Sequence, residues 1–130
     1  GDTLFNAGAG NVHNGGDVGA LYATFVEQLA RLPDNTQVYP GHDYIENNLK
    51  FTLAREPENA AAKDLLPGVT GHDPARSAVT TLAQEKQFNT FMRLHSPGLI
   101  ARLRESFPDL PEQPDAKTVF MKLRELRNSW

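Results

Sequence analysis

Two residues of this sequence are of types that bind metal ions and stand where a sheet would present them. Asp2 lies between Gly1 and the apolar run Thr3-Leu4-Phe5. A carboxylate at the edge of a strand can reach outward from a sheet, and each of its two oxygens can take one cation. His42 follows Val38-Tyr39-Pro40-Gly41 and precedes a helical pattern. A neutral imidazole there can give one nitrogen to a metal while a neighbouring acceptor fixes the other. Taken alone, each also has an ordinary reading, Asp2 as a turn or cap aspartate and His42 as a polar loop histidine. His13 and His72 sit in glycine-containing loops and show neither His-x-His nor His-x-x-x-His spacing, so they read as exposed loop residues. His95, beside a helix start, reads as structural or exposed. Arg124 and Arg127 are three apart on one face of the last helical segment. Two adjacent guanidinium groups can anchor a carboxylate or a phosphate. The ordinary reading of that pair is a solvated basic face near a helix C-terminus, where positive charge suits the dipole.

The elements that must position these residues read as follows. Thr3 to Ala7 is a short strand candidate, and Gly8 to Gly16 a loop with four glycines. Asp17 opens a helix whose apolar face is Leu21, Phe25, Leu29 and Leu32, closed at Pro33-Asp34-Asn35. Thr36 to Tyr39 is a second strand. Asp43 and Glu46 have capping-box spacing before a helix that runs towards Pro57, and Asn59 to Leu66 is helical by composition. Residues 67–80 read as loop. Beyond them Thr81/Gln84, Ser96-Pro97 and Asp115 each open a helix. Leu99, Leu103 and Phe107 form one apolar stripe, and Val119, Phe120, Leu123 and Leu126 another. The first 66 residues are thus α/β and the remainder all-α.

With 130 residues, 39% apolar and 22% charged, the chain has the composition of a folded domain. The formal net charge of −3 argues against a general nucleic-acid binder. There is no cysteine, so disulfides and thiolate metal sites are excluded. No apolar stretch approaches the roughly 20 residues that span a bilayer, and a cytoplasmic location is the default expectation. The first residue is Gly1, close to a strand, which leads us to expect that further sequence precedes it.

Three blocks together resemble glyoxalase II, the hydroxyacylglutathione hydrolases of the metallo-β-lactamase fold. They are Gly1-Asp2-Thr3-Leu4-Phe5 with Ala7-Gly8-Ala9-Gly10; Val38 to Tyr44 continuing through Asn47-Asn48-Leu49-Lys50-Phe51 to Glu56-Pro57-Glu58-Asn59; and Thr81-Leu82-Ala83-Gln84-Glu85 with Asn89 to Arg93, then Leu123-Arg124 and Arg127. The resemblance implies that residues 1–66 form the C-terminal part of a metallo-β-lactamase αββα sandwich and that 67–130 form a helical substrate-binding domain. It implies that Asp2 bridges two divalent metals, with zinc foremost and iron or manganese as alternatives, and that His42 ligates one of them. Tyr44 would contact glutathione, and Arg124 and Arg127 would hold its carboxylates. At the two glycine-loop places where the family carries a lysine and a tyrosine, this sequence has Asn11 and His13. The family's Thr-His-x-His-x-Asp-His motif lies upstream of the Gly-Asp-Thr block and is not in this sequence. The implied reaction is hydrolysis of an S-2-hydroxyacylglutathione to a 2-hydroxy acid and glutathione. The alternatives are a persulfide dioxygenase-like or other hydrolase of the same fold, and a non-catalytic piece that binds or assembles with a partner. The partners expected are a glutathione thioester, the N-terminal half of the fold, and, through an uncovered apolar sheet face, a second copy of the chain; no nucleic acid or membrane is expected.

Overall fold

The structure, a computed structural model, describes residues 3–10, 17–39, 44–71 and 79–130. The described residues are mostly helical, with four two-residue strands among them. Strands β1 (Leu4–Phe5) and β2 (Gly8–Ala9) form an antiparallel hairpin, with Leu4 opposite Ala9 and Phe5 opposite Gly8. The Gly10 amide donates to the Thr3 carbonyl at 2.9 Å and closes its open end. A glycine loop was expected from residue 8. Instead the chain reverses at Asn6-Ala7, and Gly8 belongs to the returning strand. The reversal needs a left-handed residue, and Ala7 supplies it at φ 60°.

Asp17 caps α1 (Val18–Ala23), its carboxylate accepting from the Gly19 amide at 2.8 Å. The helix continues as a π-helical turn over Thr24–Gln28 and a 3-10 turn over Leu29–Arg31, with Phe25 buried and Leu32 left exposed. Strand β3 (Gln37–Val38) follows, then α2 (Ile45–Arg55), with Tyr44 in its N-cap position. The expected cap at Asp43 lies outside the described residues.

Helix α3 (Ala60–Val69) starts at Asn59, whose side chain accepts from the Ala62 amide. It carries Pro67 in its last turn and ends three residues beyond Leu66, where the helix was expected to stop. Val69 is buried, which draws that last turn onto the core despite the proline. Thr80, expected in the loop, forms with Thr81 the strand β4 (Thr80–Thr81), antiparallel to β3, with Val38 opposite Thr80 and Gln37 opposite Thr81. The Leu82 and Ala83 amides extend this pairing to the carbonyls of Thr36 and Asp34.

The three later helix starts fall where the sequence puts them, and two of them are capped by side chains. Thr81 and Gln84 form a reciprocal capping box on α4 (Leu82–Phe88), and Asp115 caps α6 (Ala116–Asn128) through the Thr118 amide, whereas Ser96, in the N-cap position of α5 (Pro97–Ser106) with Pro97 as first helical residue, makes no cap hydrogen bond and donates its hydroxyl to Glu56 Oε2 instead. A 3-10 turn over Thr90–Met92 links α4 to the α5 region.

One apolar core gathers Leu99, Leu103, Val119, Phe120 and Leu123 around Phe91, Phe25 and Phe51. Phe120 meets Phe91 and Phe25 edge-on, at centroid distances of 5.1 and 5.3 Å. Such pairs add about 0.5–1.5 kcal/mol each beyond area burial. A second core joins Ala7, Ile45, Leu49, Ala62 and Val69 to Phe88. Both cores take residues from either side of residue 67.

Candidate functional site

The hairpin β1–β2 is held by side chains rather than by its own short strands. Two residues per strand cannot fix a direction in space. Every main-chain group named below is bound by a helix packed behind it. Glu85, on α4, is fully buried, and its Oε1 accepts from the Ala7 amide at 2.9 Å and from Asn89 Nδ2 at 2.9 Å. Its Oε2 accepts from the Thr80 hydroxyl at 2.6 Å. Thr80 Oγ1 in turn accepts from Asn6 Nδ2 at 2.9 Å. Asn89 Nδ2 also donates to the Gly8 carbonyl at 3.1 Å, and Asn48 Nδ2 donates to the Asn6 carbonyl at 3.1 Å. Burial pushes the Glu85 carboxyl above the usual carboxylate range; the hydrogen bonds from Thr80, Asn89 and Ala7 oppose that rise.

At the open end of the hairpin the last helix takes over. Arg124 is buried, and its Nη1 donates to the carbonyls of Ala9 and Gly10 at 2.7 and 2.9 Å. Its Nε donates to Asn128 Oδ1 at 3.1 Å, and its guanidinium lies over the Phe91 ring at 5.7 Å. Burial, then the charge of Arg127, pushes its pKa down to about 10, so it remains a cation at neutral pH. Arg124 also lines a groove with Val18, Met121 and Asn128.

Arg127 stands one turn further on. Its Nε donates to Asn48 Oδ1 at 3.0 Å. Burial pushes its pKa down, and the nearby Tyr44 phenol opposes that fall. Tyr44 is half-exposed and meets Phe5 edge-on at 5.1 Å. The Asn48 amide donates to the Tyr44 carbonyl, so Tyr44 and Asn48 stack on one face of α2. The structure therefore brings Tyr44, Arg127, Arg124 and the hairpin together.

Asp2, His42, Asn11, His13 and His72 lie outside the described residues, and their side chains are not placed. In sequence Asp2 precedes Thr3 and Asn11 follows Gly10, the two residues that close the open end of the hairpin. Among the described residues no three His, Asp or Glu side chains gather where they could hold a metal. His95 is exposed at the rim of an apolar cleft lined by Phe25, Val26, Met92 and Leu94. No helix among the described residues is long and apolar enough to cross a membrane.

Sequence reasoning paired Arg124 with Arg127 as equal anchors. The structure treats them differently, sending Arg124 inward to backbone carbonyls and Arg127 to an asparagine beside Tyr44. It did not single out Asn48, Glu85 or Asn89. Asn48 carried a usable signal, since it falls on the same helical face as Ile45, Leu49 and Thr52, all buried. A polar residue at such a position must find hydrogen-bond partners.

Comparison with known proteins places this geometry. Residues 43–130 match the family described as "Hydroxyacylglutathione hydrolase C-terminus". The chain is 83% identical over 130 residues to the hydroxyacylglutathione hydrolase of a Polaromonas species, covering all of this chain and 49% of that protein. It is 68% identical over 130 residues to that of Nitrosococcus oceani, with the same coverage of 100% and 49%. With that of Anaeromyxobacter dehalogenans it shares 43% identity over 133 residues, covering 98% of this chain and 51% of the relative. The chain spans about half the length of the curated relatives it matches.

Proposed function

We propose that this chain, which belongs to the hydroxyacylglutathione hydrolase family, is the C-terminal, substrate-holding part of a metal-dependent thioester hydrolase. The substrate class is an S-2-hydroxyacylglutathione, and the products are a 2-hydroxy acid and glutathione. The observation that carries this reading is the convergence of Tyr44, Arg127 and the Arg124-bound hairpin at one place, in a chain similar to proteins named hydroxyacylglutathione hydrolase. In this reading residues 1–66 complete a metallo-β-lactamase sandwich, and its N-terminal half contributes most of the metal ligands.

Asp2 and His42 offer carboxylate oxygen and imidazole nitrogen, a donor set that suits zinc, iron or manganese. Two ligands fall short of the three protein ligands of a catalytic zinc site, so this chain supplies part of the centre. When bound, two divalent ions lower the pKa of a water and polarise the thioester carbonyl. The chain's own residues hold the thiol portion of the substrate. Arg127, fixed by Asn48, and Tyr44 face the ligand, and Asn11 and His13, which follow Gly10 in sequence, would add their contacts to it. Arg124 keeps the start of that loop in place and can still contribute its charge to a glutathione carboxylate. Binding energy at these groups is spent on orienting the acyl carbon towards the metal end. A thiolate leaves without a strong general acid, so no further acid is required of this chain.

The test is to join this chain to the preceding half of the Polaromonas relative and to assay S-2-hydroxypropanoylglutathione. Turnover with bound divalent metal is expected of the joined protein, and none of the 130-residue chain alone. A joined protein that folds and retains metal but leaves the thioester intact would refute the proposal.

A further inference from the structure

We propose that Glu85 is a positioning residue for this site: by accepting the Ala7 amide, its buried carboxylate fixes the β1–β2 hairpin, the element that Asp2 and Asn11 adjoin in sequence. The inference deepens the proposed function and rests on it for the chemistry, though not for the structural part.

Three observations carry it. Glu85 is fully buried and takes three donors, the distant Ala7 amide and the Thr80 and Asn89 side chains that bracket its own helix. A buried carboxylate of that kind is costly, and Leu82, three residues earlier and also fully buried, shows what the position would otherwise hold. Second, Ala7 is the one non-glycine residue with positive φ among the described residues. Such a conformation persists only where surroundings enforce it. The Ala7 methyl is buried against the second core, and its amide is bound by Glu85, so backbone and side chain are both held. Third, the flanking carbonyls of Asn6 and Gly8 are taken by Asn48 and Asn89. The tip of the hairpin is therefore fixed from behind by α2 and α4.

A fixed tip matters because of what the other end carries. Thr3 and Gly10, joined at 2.9 Å, form the open end, next to Asp2 and Asn11. Tip and open end are about three residues apart, roughly 10 Å of strand. Rotation at the tip is thus passed on as displacement of Thr3 and Gly10, to which Asp2 and Asn11 are covalently joined. A misplacement of about 1 Å in such a site can cost about a hundredfold in rate.

Two substitutions separate holding from filling. Glu85→Gln keeps an acceptor oxygen for Ala7 and Asn89 and can donate to Thr80 Oγ1. Glu85→Leu fills similar volume and accepts nothing. In the 130-residue chain, the Ala7 amide should exchange its hydrogen as slowly as helix-core amides. That exchange should quicken about tenfold or more in Glu85→Leu and change less than about threefold in Glu85→Gln. In the joined enzyme, Glu85→Leu should lower kcat about a hundredfold and reduce metal retention, with a smaller change in KM, while Glu85→Gln stays close to the parent. Exchange at Ala7 in the parent as fast as in an exposed loop would overturn the inference, whether or not the leucine variant folds. So would a folded leucine variant that keeps its metal and its kcat. Lack of thioester turnover in the unsubstituted enzyme would instead count against the reaction, because the exchange measurement reads the holding role without it.

Discussion

Arg127 Nε donates to Asn48 Oδ1 at 3.0 Å, tying the end of the last helix to the middle of α2 across 79 residues of sequence. Asn48 turns its other end, Nδ2, to the Asn6 carbonyl of the hairpin. One amide side chain therefore sets both the hairpin tip and a cation that faces the ligand in our reading. Gly8 leaves room for it: a methyl group there would lie 2.5 Å from Asn48 Nδ2 and 2.7 Å from Cγ. Gly8→Ala should displace Asn48, lower stability by about 1–3 kcal/mol, and weaken glutathione binding by the joined enzyme. Urea denaturation and a binding titration check the two effects. An alanine variant with unchanged stability would show that Asn48 moves aside at no cost.

The two arginines of α6 should part company under substitution. Arg124→Met strands the carbonyls of Ala9 and Gly10 and the Asn128 side chain, so about 2–4 kcal/mol of stability should be lost. Arg127→Met breaks one hydrogen bond at a half-buried position and should lose about 1 kcal/mol. Its effect should appear instead in KM for the thioester, which should rise about tenfold or more in the joined enzyme. Equal losses of stability for the two variants would contradict this division.

Much of the helical order was legible because helix starts are local. Asp17, Thr81 with Gln84, and Asp115 each cap a helix through a backbone amide two or three residues away, and that spacing is visible in the sequence. Strand pairing was not legible, since Val38 and Thr80 meet across a stretch that carries no local sign of it. The hairpin was misread for a related reason. Gly8 and Gly10 look like loop residues, yet Ala7 makes the turn, in a conformation stabilised from Glu85, 78 residues away. Of the candidate site, Tyr44 and the arginines were visible by family resemblance. Glu85 reads in sequence as one more charged residue in a helix's first turn, and only its burial reveals its role.

Ala7 itself makes a sharp prediction. Its φ of 60° favours glycine, and its methyl is packed against the core that holds Ile45, Leu49 and Phe88. Ala7→Gly gains about 1 kcal/mol from the backbone and loses a similar amount of buried surface, so stability should change little. Ala7→Val meets both a forbidden conformation and a filled site, and should lose about 2–4 kcal/mol. Thermal melts of the two variants check this. A valine variant as stable as the parent would mean that the turn is not left-handed in solution.

The acid stability of the chain should be governed by Glu56 and Glu85 acting in opposite directions. Glu56, buried after the end of α2, receives Arg93 Nε and Nη2 at 2.7 and 2.8 Å and the Ser96 hydroxyl at 2.8 Å. Burial pushes its carboxyl up. The hydrogen bonds from Arg93 and Ser96, the charge of Arg93 and the Asn59 hydrogen bond outweigh that, and leave it below the usual carboxylate range. A lowered folded value means stability that is fully present above the ordinary carboxylate pKa and lost as pH falls through the lowered one. Glu85 has the opposite sign. Its folded value is raised, so its ionised form works against folding, and that penalty fades as pH falls through the raised value. Between neutrality and mild acid Glu85 should therefore steady the fold, and only at lower pH should loss of the Glu56–Arg93 pair open it. Glu56→Gln should lose about 1–3 kcal/mol at pH 7 by removing the counter-charge of the partly exposed Arg93 and one of its acceptors. The gap between variant and parent should shrink as pH falls through the lowered Glu56 value, where the parent's own carboxylate becomes protonated. Urea midpoints at neutral and acid pH measure that gap, and a gap of equal size at both would show that the pair is not what holds α2 to α5.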